Sequence, residues 1–247
     1  GLCVAGVRIG QPAYVEAAAD AGDLLWRIHQ VDGRLRRVSR DGVVGAPVGV
    51  LEDHGCVASG FLDLLQAIGD TVWLERAATV LDTALAHFAA EDGGFFDTAD
   101  DAEALVARPR DPSDNASPSG LSSMVHALST YAALTGSGRH RDAAEAALAT
   151  VSVLAERAPR FAGWSLAAGQ SMLEGPEEIA VVGPAGEERD ALAKAARRRP
   201  GAVVVVADGP REDLPLLRDR VPVDGRPAAY VCRHLVCERP VTDAGDL

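Results

Sequence analysis

Three stretches of the 247-residue chain share one design: "GQPAYVEAAADAGDLLWRI", "GDTVWLERAATVLDTALAHF" and "GSGRHRDAAEAALATVSVL". Each opens on a glycine and a short polar turn. Each then runs rich in alanine, with apolar residues near spacings of three and four, as an amphipathic helix requires. Tyr14, Trp73 and His140 hold the same offset from the opening glycine. A recurring unit of this length accommodates two helices and their connections, so the chain is read as an array of helical hairpins. The partner helices follow: residues 52–69 precede the second unit, 117–136 precede the third, and 161–175 follow it. Short glycine turns join antiparallel neighbours. The long connections, 30–50 and 91–116, therefore fall on one face of the array. Both carry Gly/Asp turns flanked by apolar or β-prone residues, the pattern of small hairpins.

From Gly175 the pattern changes. "EEIAVVG" and "GAVVVVADG" are short β-branched runs of the kind that form buried strands. Between them "EERDALAKAARRR" places acids first and arginines last, which suits a helix dipole. "RPAAYVCRHLVCERPV" adds one further expected strand. The fold class expected is mainly α: residues 1–175 form part of an α/α toroid, and residues 176–247 form a small α/β appendage.

With 36 acidic and 24 basic residues, the net charge is −12, which argues against nucleic acid and anionic membrane as partners. No apolar run is long enough to span a membrane. The chain begins without methionine and inside a helical pattern, so it is read as a fragment whose N-terminal part is missing. The four cysteines show neither Cys-x-x-Cys nor zinc spacing. They are expected to be reduced, mostly buried thiols of a cytoplasmic protein. Cys232 and Cys237, five apart on one expected strand, would point to opposite faces, which disfavours a disulfide.

Three segments carry a family resemblance: "LEDHGCVASGFLDLLQAIGD", "GGFFDTADDAEALVARPRDPSDNASPSGLSS" and "RPAAYVCRHLVCERPVTD". In order, and over nearly the whole chain, they resemble the YyaL-like family, also called spermatogenesis-associated protein 20-like. In the first segment His54 and Gly55 replace the family's usual Tyr and Ala. In the second, Leu121 stands where the family has an amide. The resemblance implies an N-terminal thioredoxin-like domain outside these residues. It also implies a six-hairpin toroid similar to glycosidases and N-acylglucosamine 2-epimerases.

The candidate catalytic cluster is Glu52, Asp53 and His54 at an inner-helix start, where a histidine can shuttle protons near neutral pH. Asp53 alternatively serves as an N-cap. Ser117 is expected to cap the next inner helix, with Pro118 in its first turn, and Ser119 to meet a sugar hydroxyl. Phe96, Asp97, Arg108 and Asp114 complete the expected substrate-binding set. Arg108 is expected near Asp53 or Asp114, and His126 is expected to be a packed core histidine. No metal or cofactor is expected. "VVGPAGEE" occupies the place of a phosphate loop but lacks its lysine and glycine spacing, and is read as a plain turn. Two functions compete. One is a carbohydrate-active enzyme, a sugar epimerase, isomerase or hydrolase. The other is a non-catalytic sugar- or protein-binding module. The expected partners are a sugar-like small molecule and either the missing N-terminal half or a second copy.

Overall fold

A computed structural model describes residues 1–103 and 105–247. Three antiparallel helical hairpins form its frame: α1 (Leu2–Ile9) with α2 (Pro12–Leu24), α3 (Leu51–Ile68) with α4 (Val72–His87), and α5 (Gly120–Thr135) with α6 (Gly138–Ala149). The second members begin at the three repeated motifs. Glycines with left-handed backbone close α1, α3 and α5 at Gly10, Gly69 and Gly136, as the short-turn reading requires. A short helix α7 (Ser152–Arg157) leads to α8 (Gly163–Glu174). The first members of the hairpins line up side by side, with α3 between α1 and α5, and α8 against the far side of α5.

The seam between α3 and α5 is unusually close. A Cβ on Gly55 would lie 2.4 Å from Ser123 Oγ and 2.8 Å from the Met124 nitrogen. Only a residue without a side chain fits there, which explains a glycine in a helix interior where it is otherwise unfavourable. Around this seam Phe61, Leu62, Leu65, Leu81, Met124 and Leu128 are almost wholly removed from solvent. Each such side chain contributes about 1.5–3 kcal/mol of hydrophobic stabilisation.

Of the two long connections, residues 30–50 form two small hairpins. β1 (Gln30–Val31) pairs with β2 (Arg34–Leu35), and β3 (Ser39–Arg40) with β4 (Val43–Val44). Among the described residues of 91–116 the backbone is mostly irregular, with a strand-like pairing between Ala89 and Phe95.

The last third holds a four-stranded sheet. β5 (Glu178–Val182) and β6 (Val203–Ala207) are parallel and are joined through α9 (Glu187–Ala196), as the β-α-β pattern predicts. β7 (Ala228–Arg233) and β8 (Val236–Cys237) complete the order β6-β5-β7-β8. The single expected strand is thus two. The chain reverses at His234 and Leu235, both of positive φ, with no glycine to mark the turn. The reversal places Cys232 opposite Cys237, and a disulfide joins them. This corrects the opposite-face reading, which assumed a continuous strand, and the expectation that all four thiols are reduced. Cys3 and Cys56 are free. Gln66 of α3 accepts from the Val204 backbone nitrogen at 3.0 Å and ties the sheet to the helical array. Among the described residues, no helix is long and apolar enough to cross a membrane.

Candidate functional site

The long connection 91–116 lies over the starts of α3 and α5. The Asp97 carbonyl accepts from the first nitrogen of α3, Leu51, at 3.0 Å, while its carboxylate accepts from the Asp111 nitrogen. Burial pushes that carboxyl above the ordinary range. Phe95 is buried beneath the connection. The neighbouring Phe96 ring lies under Arg108 at 4.0 Å, with Arg110 at 5.6 Å. Such stacking is worth about 0.5–2 kcal/mol. Arg108 donates to the carbonyls of His87 and Thr98. The expected pairing of Arg108 with Asp53 or Asp114 is therefore corrected. The carbonyls that end α4 and line the loop capture the guanidinium first, and both acids are engaged elsewhere.

Asp53 pairs with Arg37 at 2.8 Å and accepts from the Val50 nitrogen at 2.8 Å. It occupies the third helical position and reaches back to the cap residue Val50, so it is not itself the N-cap. His54 is 2% exposed. Its Nδ1 lies 2.9 Å from the Val50 carbonyl, its ring centroid is 4.7 Å from that of Phe88, and its Nε2 is buried without a partner. Desolvation lowers its pKa, with the Val50 carbonyl opposing. The histidine expected to shuttle protons in a cleft is instead a buried ring packed against Phe88, with burial favouring its neutral form. Glu52 lies in the same first turn, and its carboxylate helps raise the Cys56 thiol, whose larger shift comes from burial.

Asp114 is 4% exposed and organises two helix starts. One oxygen accepts from the Ser119 nitrogen at 3.0 Å and from Ser122 Oγ at 2.6 Å. The other accepts from the nitrogens of Trp164 and Ser165 in the first turn of α8, at 2.8 and 3.3 Å. A carboxylate set against two helix N-termini gains from both dipoles as well as from the hydrogen bonds. Ser119 is the N-cap of α5, its hydroxyl accepting from the Ser122 nitrogen at 3.1 Å. The cap expected at Ser117 is therefore two residues late. Pro118 falls just outside the helix, because the carboxylate of Asp114 sets where the backbone turns in.

One cavity meets the polar faces of the inner helices, with a volume of about 580 Å³. It is lined by Cys56, Ser59 and Asp63 from α3, Ser123 and His126 from α5, and Trp164 from α8. His126 is open to this cavity, so the expectation of a packed core histidine is corrected. The position faces away from the seam that buries Val125 and Ala127. Walls of protein nonetheless desolvate the ring and lower its pKa, with the charge of Asp63 opposing. Asp63 responds in the opposite sense: burial raises its carboxyl, and the amino group of Gly1, 3.9 Å away, and then His126 counteract part of the rise. Trp164 lines the same space and is 53% exposed, and the Ser123 hydroxyl, which donates to the Gly120 carbonyl, opposes the upward shift of the Cys56 thiol. Sequence reading missed Asp63, His126 and Trp164 as a group. The available signal was the polar stripe Cys56-Ser59-Asp63 on an inner helix, a face where a packed array calls for apolar residues.

Among the described residues, His87, Asp100 and Asp101 bring three possible metal ligand atoms within 4.8 Å of one another. His87 and Asp100 already bond each other at 2.8 Å, and Arg34 pairs with Asp101.

The chain is similar along its whole length to Spermatogenesis-associated protein 20. It is 29% identical over 273 aligned residues to the protein of Homo sapiens, and to the same extent to those of Rattus norvegicus and Mus musculus. The match covers all of this chain and 34% of each relative. The chain thus spans about a third of the length of the curated relatives it matches. No family model matches it.

Proposed function

We propose that this chain forms part of an α/α toroid and supplies one wall of a cleft that binds a sugar-like polyol, with Asp63 and His126 as its proton-handling pair. The observation that carries the reading is the 580 Å³ cavity, where a carboxyl and an imidazole face open space among hydroxyls beside an exposed tryptophan. A pocket of this size suits a small ligand. Ser59, Ser123 and Thr130 offer hydrogen bonds to hydroxyls, and the Trp164 ring offers an apolar face to a sugar's C–H surface.

The electrostatics suit proton transfer. Burial keeps His126 toward its neutral, basic form and Asp63 toward its protonated form. A carboxyl held toward its acid form beside an imidazole held toward its base form divides the acid and base roles. The reaction class favoured is removal and return of a proton beside a carbonyl, as in sugar isomerisation or epimerisation. Glycoside hydrolysis ordinarily uses two carboxylates. Among the described residues lining the cavity Asp63 is the sole carboxylate, so a hydrolase would require a second from the remainder of a longer protein. In this reading Asp53, His54, Asp97, Asp114 and Ser119 hold the helix starts, and the ligand sits further along the inner helices.

The test is titration calorimetry of the complete protein with neutral aldoses and ketoses, paired with proton exchange into the sugar from heavy water. Asp63→Asn and His126→Gln should abolish exchange, and Trp164→Ala should weaken binding about tenfold, roughly 1.4 kcal/mol. Unchanged binding and exchange in all three variants would remove the cavity from consideration.

A further inference from the structure

A smaller cavity of about 200 Å³, here called the arm, lies between α1, α3, α5 and the sheet and shares lining residues with the first. Asp63, His126 and Ser59 border it as they border the main cavity, and three arginines border it as well: Arg8, Arg197 and Arg199. Arg199 is neutralised, since its guanidinium grips both carboxylate oxygens of Glu177 at 2.5 and 2.7 Å. Arg197, at the C-terminal end of α9, differs. Among the described residues it makes no salt bridge. Asp190 and the Cys3 thiol are the groups whose charge it feels, and burial depresses its pKa. Cys3 is itself a buried lining residue of the arm, which places the guanidinium on the cavity side. Other partly buried arginines of this chain are engaged: Arg34 with Asp101, Arg76 with Asp23 and Arg189 with Asp208, and Arg36, Arg108 and Arg220 with backbone carbonyls. In a chain with 36 acids to 24 bases, a half-buried arginine without an acid is not a shortage of partners. A partly desolvated cation costs free energy until an anion meets it.

We infer that the ligand of this cavity is an anionic polyol, a sugar-like molecule carrying a phosphate or a carboxylate, and that Arg197 receives the charged group. The inference rests on the cleft reading given above and adds the class of ligand. The guanidinium fork matches either anion with two parallel N–H···O bonds. Exposed Arg8 on α1 adds a second positive charge at the rim of the arm. The hydroxyl-bearing part of the ligand would then lie toward Asp63 and His126, which border both spaces.

Calorimetry of the complete protein at low salt with four probes tests this: glucose 6-phosphate, glucuronate, glucose and inorganic phosphate. At least one of the two anionic sugars should bind tenfold or more tighter than glucose, and which one does assigns phosphate or carboxylate. Arg197→Gln should erase that advantage while leaving glucose affinity unchanged and without lowering the thermal midpoint of the ligand-free protein. Arg197→Lys, which keeps the charge without the fork, should retain part of it. Glucose bound as tightly as both charged sugars, or an anionic preference that survives Arg197→Gln, overturns the inference and leaves the cleft standing. Inorganic phosphate bound as tightly as the sugar phosphate also overturns it, because the hydroxyls would then contribute nothing. Binding of no probe overturns both the inference and the cleft.

Discussion

Two regions of this molecule concentrate polar side chains, and they treat them in opposite ways. At the helix starts, Asp114, Ser119, Asp53 and Arg37 are consumed by one another and by backbone groups. In the cavity, Asp63, His126 and Arg197 face open space without closing a hydrogen-bond network among themselves. Polar groups that satisfy each other stabilise a fold. Polar groups left facing a walled space cost stability and are retained for what enters it. The first region resembles an active site in its composition, and the second resembles one in its unfinished bonding.

The sharpest way to break this contrast is Asp114→Ala. It would strand the backbone nitrogens of Ser119, Trp164 and Ser165 in a buried place. Loss of about 3–5 kcal/mol is expected, the range for breaking a buried network that includes a charge, read as a shift in urea midpoint. A loss below about 1 kcal/mol would mean that the helix starts are as unfinished as the cavity.

Gly55→Ala tests the seam that separates the two regions. Alanine favours the helix by about 1 kcal/mol, but its Cβ would press into Ser123 and Met124. Overpacking of about 1–3 kcal/mol should outweigh the gain, with net destabilisation measured by thermal melting. A stabilised variant would show that α3 and α5 separate freely.

The pH dependence of stability isolates His54. Its folded pKa lies below the ordinary 6.5, so below that value the unfolded chain binds more protons than the folded one, and stability rises with pH. The contribution is complete above about pH 6.5 and is lost as the pH falls toward the folded value. Urea midpoints at pH 7.5 and 5 should therefore differ, and His54→Phe should narrow the difference. His126 and His140 are lowered in the same sense and leave a residual slope. An identical slope in the wild type and the variant would contradict the desolvated ring.

The smallest effect belongs to the cavity. Asp63→Asn and His126→Gln should destabilise by no more than about 0.5 kcal/mol, as surface substitutions do, because the long 3.9 Å contact of Asp63 with the Gly1 amino group is the one ion pair given up and both side chains are desolvated where they stand. Destabilisation comparable to that of Asp114→Ala would place the pair among the structural groups.

Much of the frame was legible in the sequence because local signals agree with tertiary packing there. Glycine turns, alanine-rich faces and β-branched runs each act within a few residues. The reversal at His234–Leu235 was not legible, since histidine alone is a weak left-handed signal, leucine is not one, and the disulfide across the turn is what reveals it. The loop-face residues were legible as polar and ordered, but not as already satisfied. Whether Asp114 binds a ligand or four donors depends on where α8 starts, fifty residues away. Asp63 and His126 were missed for a related reason. The polar stripe Cys56-Ser59-Asp63 marks one face of an inner helix in the sequence, but the sequence does not say that His126 and Trp164, from two other helices, face the same space. Arg197 closes a helix with two further arginines beside it, a pattern that the helix dipole alone explains.

The missing Cβ at Gly55 has a mechanical consequence. Asp63 lies two turns farther along the same helix, about 12 Å at 1.5 Å per residue. The contact at Gly55 is therefore a fulcrum, and the stretch to Asp63 is a lever arm. Rocking α3 against α5 by about 5° at that point would carry the carboxyl through roughly 1 Å, a displacement that matters to proton transfer if the proposed cleft is correct. On that reading the calibre of the cavity would respond to changes made outside it. Substitutions along the seam that touch no ligand would retune the separation of Asp63 from His126 before they unfolded anything.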